Sequence, residues 1–201
     1  MKLYFSKGAC SLVVRIIMNE LGLKAEFESV DLKTKRTEKD DDFMRINPKG
    51  AVPVLVLEDG EILTENAVIL QYLADTAKAE TLLPAVGNFK RYRVLEWVNY
   101  TTTELHKGFG PLFNPNVPKE VKDKVFIPAL ETKFRHVDKK LDGQYVVGGH
   151  FTIADAYLYV MLRWASAFFF DLRDCTNLMK FMEDLAKRPS VKKSLDEEGI
   201  L

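Results

Sequence analysis

The chain has few cysteines and histidines, two and three among 201 residues. Cys10 and Cys175 stand near opposite ends, which excludes the disulfide framework of a small secreted domain. No CxxC pair and no Cys/His cluster has zinc-ligand spacing, so no metal is expected. Neither sign of charge is in excess: Lys+Arg and Asp+Glu are 29 each, for a formal net charge of zero. That balance gives no general attraction to nucleic acid or to an anionic membrane, and neither is an expected partner. No apolar run approaches the roughly 18–20 residues that a membrane helix needs. The N-terminus opens into a strand pattern rather than a signal peptide. Together these absences point to a reduced, cytoplasmic protein.

The rest is an ordinary globular composition, 47% apolar and 29% charged. Residues 2–5 read as a buried strand and 11–22 as a helix, with Leu12, Val13, Ile16, Ile17 and Leu21 on one face and Gly22 as a stop. AEFESVDL (25–32) alternates as a strand, and KTKRTEKDDD (33–42) reads as a charged surface loop leading into a short helical turn. PVLVLEDGEILTEN (53–66) reads as two strands about an Asp59-Gly60 turn, and 65–77 as a helix. The order β-α-β, then β-β-α, predicts a small mixed sheet with helices on its faces. After a linker at 78–87 the period is helical throughout. A long helix runs from Asn88 to Lys107 with Gly108 as its cap, another covers 119–141, a third starts at Thr152, and shorter ones occupy 176–196. The expected architecture is an α/β domain, 1–78, followed by an all-α domain, 87–201.

Several stretches carry candidate chemistry, each with a plainer alternative. Cys10 sits at the start of the first helix, where unpaired N–H groups and the helix dipole lower a thiol pKa; otherwise it is a small buried hydrophobe. Ser11 is a competing nucleophile or hydrogen-bond donor at that turn, or simply the helix N-cap. In NPKGAVPVL (47–55), a cis Pro53 would expose the main chain of Val52 to a peptide-like ligand, whereas a trans proline merely starts a strand. Glu65 and Asn66 at a helix start suit the ammonium and carboxylate of an amino acid, or are ordinary acidic decoration of the terminus. Asn99, Thr102 or Thr103, and His106 form a polar stripe, although a cation near a helix C-terminus is also favourable in itself. Thr152 and Asp155 have capping-box spacing and read as a folding element.

The stretches MKLYFSKGACS, NPKGAVPVL, LTENAVILQYLAD, EWVNY with TELHKGF, and FTIADAYL occur in an order that resembles the cytosolic glutathione transferases, most closely the bacterial beta class. The resemblance runs the whole length. It implies a thioredoxin-like N-terminal domain that binds glutathione as co-substrate, an all-helical second domain, a homodimer, and an apolar electrophile pocket between the domains. It places Cys10 and His106 at the glutathione sulfur as the catalytic pair. Lys35 is matched to the glycine carboxylate, Val52 before a cis Pro53 to the cysteinyl backbone, and Glu65 with Asn66 to the γ-glutamyl end. Asn99, Thr103 and Glu104 complete the glutathione shell, and Trp164 borders the electrophile pocket. Two positions depart from close relatives. Phe5 stands where they carry tyrosine, and Tyr4 points to the opposite face of the strand. Asn66 stands where Gly or Ser is frequent. The activity expected is addition of glutathione to small hydrophobic electrophiles, with a thiol reductase or peroxidase side activity through Cys10. The alternatives are a mainly redox thioltransferase and a non-catalytic ligand binder.

Overall fold

The computed structural model describes residues 1–141 and 143–201. In chain order the elements begin with β1 (Lys2–Phe5), α1 (Leu12–Glu20), β2 (Glu26–Asp31), β3 (Arg36–Thr37), α2 (Phe43–Ile46), β4 (Val54–Val56), β5 (Ile62–Thr64) and α3 (Asn66–Thr76). They continue with α4 (Phe89–Tyr100), α5 (Gly110–Phe113), α6 (Lys119–Val121), α7 (Ile127–Lys140), α8 (Ile153–Ala167), α9 (Thr176–Ala186) and α10 (Pro189–Glu197). They form two compact units, Met1–Ala79 with Lys187–Leu201, and Glu80–Ala186. Residues 187–201, which the sequence reading places in the helical domain, thus pack with the α/β unit.

The first unit holds a five-stranded sheet in the order β3-β2-β1-β4-β5. Only β1 and β2 run parallel, joined by the crossover helix α1; the other pairs are antiparallel. The short β3 lies inside the stretch expected to be a loop. Adjacent residues of β1 face opposite sides. Tyr4 packs with Val30, Phe43, Val52 and Val54, while Phe5 lies under the Arg15 guanidinium at 4.3 Å and meets Phe27 edge-on.

Polar contacts tie α10 to α1. Arg15, only 3% exposed, pairs with Glu198 at 3.1 Å and Glu197 at 3.3 Å. The Asn19 amide donates to Ser194 and Glu197, each at 2.9 Å. Glu20 accepts from the Arg188 guanidinium at 2.8 and 2.5 Å and from the Ser190 hydroxyl at 2.6 Å. A buried guanidinium is tolerable only when paired in this way. Glu198 also accepts the Gly8 N–H at 2.8 Å, which anchors the loop before Cys10.

In the second unit, the helix begun by α4 does not stop at Gly108. It widens to π-helical over Thr101–His106, tightens to a 3₁₀ turn over Lys107–Phe109, and runs on as α5. Gly108 is therefore no cap. A Cβ there would lie 2.6 Å from Leu130 Cδ2, so the glycine permits close approach to α7. The expected linker is partly packed: Leu82 and Leu83 are buried, and the Leu82 carbonyl accepts the Ile153 N–H. At the head of α8, the buried Asp155 accepts the N–H and hydroxyl of Thr152 and the N–H of Val146, as a folding element should.

Candidate functional site

The loop between β1 and α1 presents a sulfur. Ser11 is fully buried, and its hydroxyl accepts the Ser6 N–H at 3.2 Å and donates to the Ser6 carbonyl at 3.3 Å. Ser11 therefore closes the loop and makes no side-chain N-cap bond. Cys10 is 8% exposed, and its thiol donates to the Val52 carbonyl at 3.3 Å. Burial pushes the thiol up to about 11. This reverses the lowered value expected from the helix start, because loss of water outweighs the field of the helix terminus. Three donors do act for the thiolate: the Asn66 side-chain amide and the N–H groups of Cys10 and Ser11. The nearby Glu65 charge opposes them.

The Val52–Pro53 bond is cis. The preceding loop is shaped by Asn47, whose amide donates to the Ala51 carbonyl at 2.7 Å. Lys35 reaches the same loop, with Nζ donating to the Gly50 carbonyl at 2.7 Å. Glu65 joins β5 to α3 in a left-handed conformation, φ 73°, and its exposed carboxylate pairs with Lys49 at 2.7 Å. Asn66 opens α3 with its side chain buried, and its Oδ1 has no hydrogen-bond partner. Cys10, Val52, Pro53 and Asn66 are thus brought together, with Glu65 beside them and Lys35 on the adjoining loop.

The helical unit carries the other candidates. Asn99 and Thr103 are exposed, and the Thr103 hydroxyl donates to the Asn99 carbonyl at 3.1 Å. Glu104 pairs with Lys133 at 2.8 Å. Because the turn at Thr101–His106 is π-helical, the Lys107 N–H reaches back five residues to Thr102, and the expected stripe follows a wider turn than an α-helix gives. His106 is half-buried, with Nδ1 2.6 Å from the Tyr157 hydroxyl and its ring 5.2 Å from that of Trp164. Trp164 meets Phe113 edge-on at 4.8 Å, and Phe113 meets Phe168 likewise at 5.1 Å.

Sequence reasoning does not single out Tyr157, although a tyrosine on a buried helix requires a partner for its hydroxyl. That requirement was the available signal. Among the described residues, no group of His, Cys, Asp and Glu is arranged to hold a metal ion, and no helix is long and apolar enough to cross a membrane.

Comparison with known proteins gives this geometry a family. A glutathione S-transferase N-terminal domain matches residues 8–76, and a glutathione S-transferase C-terminal domain matches 100–189. The chain is 46% identical to glutathione S-transferase GstA of Escherichia coli O157:H7, with both chains covered completely. It superposes on a bacterial beta-class glutathione S-transferase of Sphingomonas chungbukensis with a TM-score of 0.95, at 40% identity over all of both chains. A sphingomonad glutathione S-transferase complexed with glutathione gives 0.94, again at 40% identity and complete coverage. With both domains matched in order and kinship of this degree along the whole chain, the protein belongs to the glutathione S-transferase family, in its bacterial beta class.

Proposed function

We propose that the protein joins reduced glutathione to small hydrophobic electrophiles, and that its working form is a cytoplasmic homodimer. The observation that carries this reading is the sulfur pocket of the α/β unit, where Cys10, the main chain of Val52 and the start of α3 converge. The Val52 main chain suits the cysteinyl peptide of glutathione. Lys35 suits the glycine carboxylate, and Glu65 with the first N–H groups of α3 suits the γ-glutamyl ammonium and carboxylate. Asn99, Thr103 and Glu104 are assigned to the ligand shell. Trp164, with Phe113, is the helical unit's apolar surface for the electrophile.

Conjugation needs the glutathione thiolate, yet an ordinary thiol titrates near ~8.5 and is mostly neutral at pH 7. Donors that stabilise the anion are therefore the source of rate. In this reading His106 accepts the thiol proton. The thiolate then attacks the electrophilic carbon, forming a C–S bond, and an aryl halide expels halide. Since Tyr157 engages Nδ1, the nitrogen assigned to proton transfer is Nε2.

A second reading, favoured by the place of Cys10 just before α1 with its thiol on the Val52 carbonyl, is a thiol reductase side activity. Cys10 thiolate attacks a disulfide, forms a mixed disulfide and expels a thiolate. When the mixed disulfide carries glutathione, a second glutathione regenerates Cys10 and leaves as oxidised glutathione.

Immobilised glutathione should retain the protein and free glutathione should elute it; failure to bind under reducing conditions overturns the main reading. Cys10→Ala should abolish reduction of hydroxyethyl disulfide while conjugation to an aryl halide falls far less. Equal loss of both activities would remove the distinction between the two roles.

A further inference from the structure

The main chain around His106 is short of hydrogen-bond donors. Over Thr101–His106 the helix is π-helical, and the Lys107 N–H reaches back to the Thr102 carbonyl. Over Lys107–Phe109 it is a 3₁₀ turn, and the Gly110 N–H goes to the Lys107 carbonyl. Pro111 follows and has no N–H. The N–H groups of Gly108 and Phe109 then remain for the carbonyls of residues 103–106, and they cannot serve them all. A main-chain carbonyl without a donor is costly wherever water is kept away. Side chains make up the difference. At the front of the turn the Thr102 and Thr103 hydroxyls donate to the carbonyls of Val98 and Asn99, at 2.8 and 3.1 Å. At its middle the donor comes from another helix: Lys133 Nζ of α7 donates to the Glu104 carbonyl at 3.1 Å. The same ammonium pairs with the Glu104 carboxylate at 2.8 Å.

A Lys–Glu pair as exposed as this one, 35% and 45%, adds little stability by itself. The main-chain contact has a different consequence. Lys133 grips Glu104 by carbonyl and carboxylate just before His106. Leu130, one turn earlier on α7, fills the space that a Cβ on Gly108 would need, just after His106. Helix α7 thus holds the turn on both sides of the histidine, whose Nδ1 stands 2.6 Å from the Tyr157 hydroxyl of α8.

We propose that Lys133 is a positioning residue for His106. Its ammonium supplies a donor that the change from π-helical to 3₁₀ turns withholds from this stretch of main chain, and so sets where the imidazole stands. The Glu104 carboxylate is a second hold on the same residue, not the reason for the cation. The inference rests on His106 being the base of the site proposed above.

The test uses Lys133→Met, which keeps the bulk of the side chain and loses its donors, and Lys133→Arg, which keeps donors. With glutathione and an aryl halide, Lys133→Met should lower kcat by about tenfold, a part of what a well-placed general base supplies. Lys133→Arg should recover most of that loss. The loss should persist in a Glu104→Gln background, because the carbonyl is still there. In the ligand-free protein, Lys133→Met should move the imidazole NMR resonances of His106 and leave those of His150 in place.

A countercharge for Glu104 predicts the contrary, that Lys133→Met changes nothing once Glu104→Gln is present. A loss that vanishes in that background, or that Lys133→Arg does not recover, overturns the proposal, as do unmoved His106 resonances. If Lys133→Met does not fold, Lys133→Gln, a side chain too short for the carbonyl, takes its place. Wild type that fails to conjugate, with His106 resonances that move as expected, sinks the glutathione reading alone. Conjugation by wild type with an unchanged kcat in Lys133→Met sinks the role of Lys133 alone.

Discussion

At Cys10 a helix start and burial act on one thiol in opposite directions, and burial wins in the ligand-free state. The position was legible in the sequence, because a thiol beside a helix start is a local pattern. The direction of its pKa was not, because Val52 and Asn66, which enclose the sulfur, come from distant parts of the chain. Phe5 shows a readable case: period two put Tyr4 and Phe5 on opposite faces, as their neighbours Phe43 and Arg15 bear out. Tyr157 belongs to the opposite case, since its partner lies 51 residues away. In the proposed mechanism the Tyr157 oxygen accepts from His106 Nδ1 and leaves Nε2 to take the thiol proton, so Tyr157→Phe should lower the conjugation kcat by about tenfold, a part of the roughly 10²–10⁴-fold that general acid–base catalysis supplies. The glutathione KM should hold, and the pH dependence of kcat/KM should shift. A pH profile that superimposes on wild type would show that the hydroxyl has no part in proton transfer.

Among elements, nearly every long periodic segment was readable, and the differences have local causes. The charged 33–42 stretch hid β3 because a two-residue strand has no period to detect. Gly108 looked like a stop, since glycine after a run of helix ordinarily caps it; its actual requirement, room for Leu130, is tertiary. The pairing of α1 with α10 carries a pH dependence of its own. Burial pushes the Glu20 carboxyl up, but hydrogen bonds from Arg188 and Ser190 outweigh it and hold the group below its usual value. Its contribution to stability is therefore complete above the unfolded-state value, near ~4.3, and is lost as pH falls through the lower folded-state value. Glu20→Gln should cost about 1–3 kcal/mol at pH 7. Urea titrations should show the gap between wild type and variant narrowing below about pH 4; an unchanged gap would assign the loss to packing.

For the molecule as a whole, both layers of the fold were legible, but the allegiance of the last helix was not. An amphipathic α10 fits either unit by its apolar period; in the structure Val191 and Leu195 are buried and its polar side pairs with Arg15, Asn19 and Glu20. The proposed dimer has a direct measure: light scattering at micromolar concentration should give about twice the 23.0 kDa chain mass. The exposed aromatics Phe89 and Tyr92 on α4 are consistent with a covered surface, and a monomer would refute it. The discontinuous first unit also sets an order of events during synthesis. Every residue of the helical unit is synthesised before residues 187–201 exist. Until then Arg15 lacks both its carboxylates and the Gly8 N–H lacks Glu198. The unit that residues 1–79 begin is therefore completed after the helical unit, and the loop that carries Cys10 is anchored only once residues 187–201 have been made.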